Sequence, residues 1–311
     1  MPDYLSLGAS LYVPSTRDDL VEVARAEKIA HARSLIFCTE DSIREDELPL
    51  GLANIARMLQ HLPERDAVDR RRNRLLFIRV RNVSVLSALL RTEHIQRIDG
   101  FVLPKLTGDN LMDYVSLFAA ANQDLGKFKL MPTLETREVF DTTEMVKLRE
   151  LLELPHIRPS VLALRIGGND LLNLLGVRRS RYRTLYESAL GPVISNLVTI
   201  FKPYGFNLTS PVCEFLYDHE ILERELAQDV EYGLFGKTAI HPDQIAIIES
   251  AYRPSEQDAA VADAILAEGA AAVFNMAGAM CEVTTHAQWA QNVRLRRHAY
   301  GVYGKHGNCN A

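Results

Sequence analysis

The stretches FKLMPTLET (128–136) and VLALRIGGND (161–170) decide the fold class of this chain. Each is a nearly continuous apolar run that ends in one carboxylate, Glu135 in the first and Asp170 in the second. Strands of a parallel sheet are buried on both faces, so their sequences are apolar throughout rather than alternating. We interpret the two stretches as consecutive buried strands whose carboxyl ends carry Glu135 and Asp170.

Six further apolar runs occur along the chain, and amphipathic segments separate them. The runs are LGASLYVP (7–14), SLIFCTED (34–41), RLLFIRVRN (74–82), GFVLPKL (100–106), FNLTSPVC (206–213) and YGLFGKTAIH (232–241). The intervening segments repeat apolar residues at three-to-four spacing, which is typical of helices. Eight strands alternating with helices predict an α/β fold, a closed (β/α)8 TIM barrel. A doubly wound open sheet is the alternative, and it is disfavoured because no GxGxxG follows the first strand.

Beyond residue 253 the pattern changes. The segments SEQDAAVADAILAEGAAAVFN (255–275) and THAQWAQNVRLRRHAYGVY (285–303) predict two helices outside the barrel. We therefore expect a TIM-barrel catalytic domain over residues 1–253 and a C-terminal helical extension over residues 254–303, which serves as a lid or an oligomer contact. The last residues, 304–311, offer nothing to a core and predict a disordered tail.

Composition excludes several classes of function. The 311 residues are 47% hydrophobic, which is enough to bury a large core. A net charge of −5 argues against partners such as nucleic acid or an anionic membrane. No apolar run is long enough to span a bilayer, and the N-terminus lacks a signal-peptide pattern, so we expect a cytoplasmic protein. Four cysteines without CxxC spacing argue against zinc and disulfides. The basic run Arg70–Arg72 with Arg74 predicts a solvated loop.

Strand ends carry the chemistry of a TIM barrel, and here they are unusually polar. The residues at those positions are Pro14, Glu40, Asp41, Arg79, Arg81, Lys105, Glu135, Asp170, Ser210, Lys237 and His241. This mixture of charges fits a metal-bound, multiply anionic small molecule. Glu135 and Asp170 supply the hard oxygen ligands that suit Mg²⁺. The alternative is that each of them caps the helix that follows.

Seven segments, in sequence order, resemble the citrate lyase beta subunit-like C–C bond lyases, which are relatives of malyl-CoA and citramalyl-CoA lyases. They are SLYVPSTR (10–17), CTEDSI (38–43), FIRVRN (77–82), VLPK (102–105), TLET (133–136), GGNDLLNLLG (167–176) and GLFGKTAIHPDQI (233–245). The last is the most specific, because it matches the family's Gly-Lys-x-x-Ile-His-Pro-x-Gln signature almost letter for letter.

The resemblance implies reversible cleavage or formation of a C–C bond beside a carbonyl, often in a CoA thioester. It implies that Glu135 and Asp170 bind Mg²⁺, which acts as Lewis acid and template. Arg79 would bind a substrate carboxylate through two parallel hydrogen bonds, with an ion pair inside the barrel as the alternative. The remaining implied residues are Glu40, Asp41 and Lys105 in the catalytic set, and Gly168, Asn169 and Lys237 in substrate binding.

The pair Glu40 and Asp41 allows two interpretations. Neighbouring residues of a strand point to opposite faces, so only one of the two carboxylates is expected to aim inward. That carboxylate would support metal-bound waters or position Arg79 or Lys105. Alternatively, the pair caps the helix that starts near Leu48.

Four departures from the family pattern keep the reaction open. Gly8 and Ala9 lie where an Arg is common, Cys38 replaces an Asp, Arg81 replaces an Asn, and MCEVTTH (280–286) places Glu282 near the family's Asp. In the malyl- and citramalyl-CoA lyase branch that Asp is implicated in proton transfer. A lyase or aldolase acting on a free hydroxy-oxo acid, or a weakly catalytic subunit of a biosynthetic complex, therefore remains an alternative.

The expected partners are a 2-oxo or hydroxy acid or its CoA thioester. A second basic cluster, Arg178, Arg179, Arg181 and Arg183, is a candidate for the CoA phosphate, and a solvated helix start is its alternative. The resemblance also implies a homo-oligomer, either a trimer or a hexamer.

Overall fold

Eight parallel strands form one sheet in the computed structural model, which describes residues 3–64 and 74–303. They are β1 Ser10–Pro14, β2 Ser34–Cys38, β3 Leu75–Arg79, β4 Gly100–Leu103, β5 Lys129–Leu134, β6 Leu164–Ile166, β7 Leu208–Thr209 and β8 Thr238–Ala239. Each strand lies within one of the eight apolar runs. The runs at 161–170, 206–213 and 232–241 contain much shorter strands than predicted.

The order of the strands makes the sheet a barrel. Neighbours follow the chain without reversal from β7 back to β1, and β8 pairs with β1. A backbone hydrogen bond of 3.3 Å from Phe235 N to Leu208 O connects the segments at β8 and β7. The TIM-barrel prediction is confirmed, and the doubly wound alternative is wrong because that fold requires the strand order to reverse.

Helices cover the outer face of the barrel strands. They are α1 Leu20–Ala24, α2 Leu48–His61, α3 Val83–Leu90, α4 Leu111–Ala120, α5 Thr142–Leu152, α6 Gly168–Leu174, α7 Gly191–Phe201 and α8 His219–Glu231. A further helix, α9 Asp243–Ala251, follows β8 along the chain. Side-chain caps begin α3 and α8, where Asn82 accepts from Val85 N and Asp218 accepts from Ile221 N. Among the described residues, no helix has the length and apolar character needed to cross a membrane.

The barrel interior is mainly apolar. Its buried cluster consists of Leu7, Ile36, Leu75, Phe77, Val102, Met131, Leu162 and Ala163, and the partly buried Tyr4 and Tyr12 pack against it. Because helices cover the other face, both faces of the strands are buried. This explains why the strand sequences are apolar without alternation.

The chain divides into two compact units, the larger ending at Ile245 and the smaller beginning at Ala246. The smaller unit contains α10 Glu256–Ile265, the antiparallel strands β9 Val273–Met276 and β10 Ala279–Glu282, and α11 Val283–Tyr300. The helix predicted over 255–275 is therefore wrong after Ile265. Ala277 and Gly278 both have positive φ, at 55° and 78°, and form the two-residue turn of a hairpin.

Some sequence predictions stay predictions. The domain limits at residues 253 and 303 are among them. Residues Arg70–Arg72 and the predicted tail at 304–311 lie outside the described residues.

Candidate active site

A buried guanidinium at the carboxyl end of β3 is the centre of the site. Arg79 is 6% exposed, and its Nε donates to Glu40 Oε2 at 2.7 Å. Its Nη2 donates to Asp41 Oδ2 and to Glu135 Oε1, each at 3.1 Å. Burial opposes the charge, but Tyr12, Glu135 and Glu40 raise the pKa of Arg79 above its usual range. Arg79 is therefore a permanent cation that connects the ends of β2, β3 and β5.

Lys105 connects two of these carboxylates from the end of β4. Its backbone N–H donates to Glu135 Oε1 at 2.9 Å, and its Nζ donates to Glu40 Oε1 at 2.5 Å. The φ of Lys105 is 48°, in the left-handed region that side chains other than glycine rarely adopt. Such strained residues concentrate at functional sites, where the surrounding structure holds them in place.

Glu40 and Asp41 both contact Arg79, but the side chain of Glu40 is 6% exposed and that of Asp41 is 63% exposed, so only one of the two carboxylates is buried, as predicted. Because β2 ends at Cys38 and the chain bends at Glu40, Asp41 still reaches Arg79 from the exposed side. The helix-cap alternative is wrong, since Glu47 occupies the N-cap position of α2.

The pKa values of Glu40 and Asp41 are shifted in opposite directions. Burial alone would raise the pKa of Glu40, but Arg79, Asp41 and Lys105 lower it to about 2. Burial and the neighbouring Glu40 carboxylate raise the pKa of Asp41 to about 6. Glu40 is therefore the fixed anion of the pair, and Asp41 is the one that can exchange a proton near neutral pH.

The carboxylate of Glu135 occupies space that is available only because residue 167 is a glycine. A Cβ on Gly167 would lie 2.4 Å from Glu135 Oε2, so a side chain there would displace the carboxylate. Burial raises the pKa of Glu135 to about 7; the charge of Arg79 opposes this shift, and the charge of Asp170 adds to it. Asp170 is half-buried in the first turn of α6 and close enough to repel Glu135.

These residues fit a divalent cation. The site brings together four carboxylates, on Glu40, Asp41, Glu135 and Asp170, and two cations, on Arg79 and Lys105. A divalent ion would offset the excess negative charge. Mg²⁺ commonly binds through one or two carboxylates and keeps water or substrate oxygens in its other positions. Within the described ranges no group of three or more His, Cys, Asp and Glu side chains is arranged to hold a metal ion, and metal binding by Glu135 and Asp170 stays a prediction.

Gly168 and Asn169 lie next to Asp170 at the start of α6. Gly168 is buried, and a Cβ there would lie 2.9 Å from the Cβ of Pro211. The side chain of Asn169 is exposed. Their substrate contacts stay predictions.

The structure does not bring Lys237 to this site. Its side chain is 1% exposed, and its Nζ lies 2.9 Å from Asp229 Oδ2 and 3.5 Å from Glu225 Oε2. Both acids belong to α8, on the outside of the barrel. Arg179 pairs with the same Glu225. The structure therefore gives Lys237 a buried ion-pair network instead of the predicted contact with substrate.

The other members of the second basic cluster have different surroundings from Arg179. Arg178 is exposed, with its Nε 3.6 Å from Glu214, and Arg181 lies over the Phe215 ring at 4.8 Å from its centroid. Arg178 and Arg181 line a surface groove of about 800 Å³ together with Tyr217. Arg183 is also exposed.

Arg81 forms hydrogen bonds with the protein backbone instead of offering its charge to a ligand at the mouth of the barrel. It donates to the backbone carbonyls of Thr39, Glu40 and Ile43 at 2.8–3.0 Å. These bonds hold the acidic segment that supplies Glu40 and Asp41. Arg81, which replaces the Asn of the family pattern, thus helps to position Glu40 and Asp41, the partners of Arg79.

Sequence reasoning missed two residues inside the barrel. The centroid of the Tyr12 ring lies 6.0 Å from Arg79 Cζ and 5.7 Å from the Cζ of Arg165 on β6. Arg165 is 3% exposed and donates to Thr238 on β8. The sequence contains a signal for Arg165 alone. It is a charged residue within the apolar run LALRI, and a buried charge needs a polar partner inside the barrel.

Comparison with known proteins places the chain in a family. Residues 1–302 match the family of C–C bond lyases of the TIM-barrel fold. A relative from Cereibacter sphaeroides, (3S)-malyl-CoA thioesterase, is 25% identical over 253 residues, which cover 81% of this chain and 79% of the relative.

Two solved structures share the fold. A citrate lyase from Burkholderia xenovorans LB400 has a TM-score of 0.73 at 17% identity, covering 96% of this chain and 94% of that one. CitE from Mycobacterium tuberculosis, in complex with magnesium, acetoacetate and coenzyme A, has a TM-score of 0.66 at 20% identity, covering 94% of this chain and 98% of that one. The two structures show the fold, and the family match confirms the resemblance found in the motifs: the chain belongs to the C–C bond lyases of the TIM-barrel fold.

Proposed function

We propose that this protein is a Mg²⁺-dependent carbon–carbon lyase of the oxo-acid-lyase type. It cleaves or forms the bond beside a carbonyl of a thioester similar to malyl-CoA or citramalyl-CoA. The observation that carries the proposal is the position of Arg79, which is surrounded by Glu40, Asp41 and Glu135 while Asp170 lies beside Glu135. This arrangement combines a site for a divalent cation with a fixed arginine.

The reaction requires stabilisation of the negative charge that develops on a carbonyl oxygen as the C–C bond breaks. Mg²⁺, when held by Glu135 and Asp170, supplies positive charge to that oxygen. The protein keeps its own charges fixed in advance, so no reorganisation is needed during the reaction.

Arg79 binds the carboxylate of the acid half of the substrate. Its Nε and Nη2 already donate to Glu40, Asp41 and Glu135, so the ligand carboxylate approaches the side of the guanidinium that carries Nη1. Lys105 holds Glu40 and Glu135 in place. Asp41, whose carboxyl has a pKa of about 6, is the proposed group for proton exchange with the substrate.

The names of similar proteins support a thioester substrate. The Cereibacter sphaeroides relative is a malyl-CoA thioesterase, and the Mycobacterium tuberculosis structure contains coenzyme A. In this chain, Arg178 and Arg181 beside the exposed groove are the proposed partners of the CoA phosphates.

A lyase or aldolase that acts on a free hydroxy-oxo acid is the second candidate. It is favoured by Glu282, which stands near the position of the family's Asp and accepts a hydrogen bond of 3.1 Å from Thr285 Oγ1. The carboxylate of Glu282 is thus already hydrogen-bonded to a residue of the smaller unit. The cytoplasmic location and the trimeric or hexameric assembly also stay predictions.

Thermal unfolding with Mg²⁺ and with pyruvate, glyoxylate, oxaloacetate and acetyl-CoA, singly and in pairs, tests the proposal. A ligand that binds only the folded protein raises the Tm. A Mg²⁺-dependent rise with an oxo acid that grows when acetyl-CoA is added supports the thioester lyase. A rise with the oxo acid alone favours the free-acid lyase, and no rise with any ligand contradicts both.

Variants locate the metal. Asp170→Asn keeps the size of the side chain and removes one ligand charge, so we expect it to weaken Mg²⁺ binding at least about tenfold by calorimetry. Asp113→Asn, on the exposed face of α4, is the matched control and should bind Mg²⁺ like the wild type. Equal affinity in Asp170→Asn would remove Asp170 from the metal site.

A further inference from the structure

Tyr12 occupies a position in the barrel that the proposed chemistry does not yet use. It lies on β1, packs against the interior cluster and is only partly buried. The centroid of its ring lies 6.0 Å from Arg79 Cζ and 5.7 Å from Arg165 Cζ, and a side-chain hydrogen bond with Tyr12 is one of the causes that raise the pKa of Arg79. Tyr12 is thus an aromatic residue beside the proposed carboxylate-binding arginine.

The direction of that hydrogen bond follows from the donors available. A guanidinium has N–H donors and no acceptor, whereas a phenol has one donor and can also accept. Arg79 therefore donates, and the Tyr12 oxygen accepts. Arg165 is also unable to accept. The hydroxyl proton of Tyr12 is left for a third group, which must be an acceptor.

The carboxylate of the substrate is the acceptor that fits. It approaches the Nη1 side of Arg79, because Nε and Nη2 donate to Glu40, Asp41 and Glu135. A phenol bonded to the same guanidinium lies within reach of an anion bound there. Hydrogen bonds to charged groups are stronger than those between neutral groups, so this contact would contribute to affinity.

We propose that Tyr12 is a substrate-binding residue whose hydroxyl donates a hydrogen bond to the carboxylate that Arg79 binds. The inference rests on the proposed function and adds a specificity element to it. Arg79 supplies the charge and Tyr12 supplies a directed donor. The two together select a planar carboxylate.

Calorimetric titration of the protein with oxalate at saturating Mg²⁺ tests the proposal. We expect Tyr12→Phe, which removes only the hydroxyl, to weaken oxalate binding about tenfold to a hundredfold. Tyr4→Phe is the matched control, because Tyr4 packs against the same interior cluster and should leave oxalate affinity unchanged. The Mg²⁺ affinity without oxalate should be the same in all three proteins.

Two further variants separate binding from packing. Tyr12→His keeps an aromatic ring with an N–H donor and should recover part of the affinity lost in Tyr12→Phe, even if Tyr12→Phe itself is unstable. The double variant Tyr12→Phe/Arg79→Lys should lose less than the two single losses added together, since both residues bind one carboxylate.

The outcomes distinguish this inference from the proposed function. Oxalate affinity in Tyr12→Phe equal to that of the wild type, with the wild type binding well, overturns the role of Tyr12 and leaves the lyase proposal standing. Failure of the wild type to bind oxalate, pyruvate or any other oxo acid with Mg²⁺ overturns both. Weaker binding in Tyr12→Phe but not in Tyr4→Phe supports both.

Discussion

The backbone amide of Lys105 and the carboxylate of Glu135 form a hydrogen bond of 2.9 Å that depends on a left-handed backbone at Lys105. Two substitutions separate this backbone effect from the ammonium. Lys105→Gly and Lys105→Ala both remove the bond to Glu40, but only glycine adopts positive φ without strain. We expect Lys105→Gly to be more stable than Lys105→Ala by about 1 kcal/mol in chemical denaturation. Equal free energies of unfolding would mean that the left-handed conformation is not maintained.

Substitution of Arg79 by Lys should affect ligand binding and stability together. An ammonium cannot donate at once to Glu40, Asp41 and Glu135 with the geometry of a guanidinium. We therefore expect Arg79→Lys to weaken binding of oxalate or pyruvate far more than it lowers the Tm, and added Mg²⁺ to restore part of the Tm. Arg91→Lys, on the exposed side of the barrel, is the control. If ligand affinity in Arg79→Lys equals that of the wild type, Arg79 is only an internal ion-pair residue.

The raised pKa of Glu135 predicts a pH dependence of stability in metal-free protein. The pKa of Glu135 in the folded protein is about 7, whereas the pKa of an unperturbed Glu is 4.5, so the folded protein holds this proton to a higher pH. The stabilisation is therefore fully present below pH 4.5 and is lost as the pH rises through 7. We expect the Tm with a chelator to fall between pH 5 and pH 8, apart from the contributions of other groups.

A Glu135 variant and added Mg²⁺ test whether Glu135 causes the fall in Tm with rising pH. Asp41, with its pKa of about 6, contributes with the same sign, so Glu135→Gln should reduce the slope without abolishing it. Mg²⁺ should raise the Tm more at pH 8 than at pH 5, because proton and metal compete for Glu135. An unchanged slope in Glu135→Gln would contradict the assignment.

The buried pair of Lys237 and Asp229 predicts a structural phenotype. Lys237→Met leaves Asp229 on α8 without its cation, whereas Glu225 keeps Arg179, and breaking a buried ion pair in this way costs about 3–5 kcal/mol. We expect this loss in the free energy of unfolding and no change in the Mg²⁺ affinity of the folded protein. Lys147→Met, with an exposed side chain on α5, is the control. A stable Lys237→Met protein that loses oxo-acid binding would instead restore Lys237 to the substrate site.

The sequence predicted the barrel because parallel strands leave a strong pattern. Burial on both faces makes each strand an apolar run, and a carboxylate at the end of such a run is conspicuous. Glu135 was found in this way, and the structure places it beside Arg79. The same pattern does not fix where a strand ends. The prediction for Lys237 failed because β8 is only Thr238–Ala239, so Lys237 precedes the strand and its side chain pairs with α8.

Two other differences have local physical causes. The alanine-rich segment after Ile265 has high helix propensity, but Ala277 and Gly278 form a hairpin turn without the Asn-Gly pair that usually signals one. Tyr12 was missed because an aromatic residue in an apolar strand is typical of a core. Only its contacts with Arg79 and Arg165 distinguish it from a packing residue.

The short strands β7 and β8 give the barrel a seam, by which we mean two adjacent strands that share no hydrogen-bonded ladder in the described residues. One backbone bond, from Phe235 to Leu208, crosses it, and the charges of Lys237 and Asp229 hold β8 to the neighbouring helix. Backbone amides at such a place exchange with solvent through small local openings rather than through global unfolding. We expect local opening at this seam to reach Pro211, which follows β7 and lies against Gly168 of α6, two residues before Asp170.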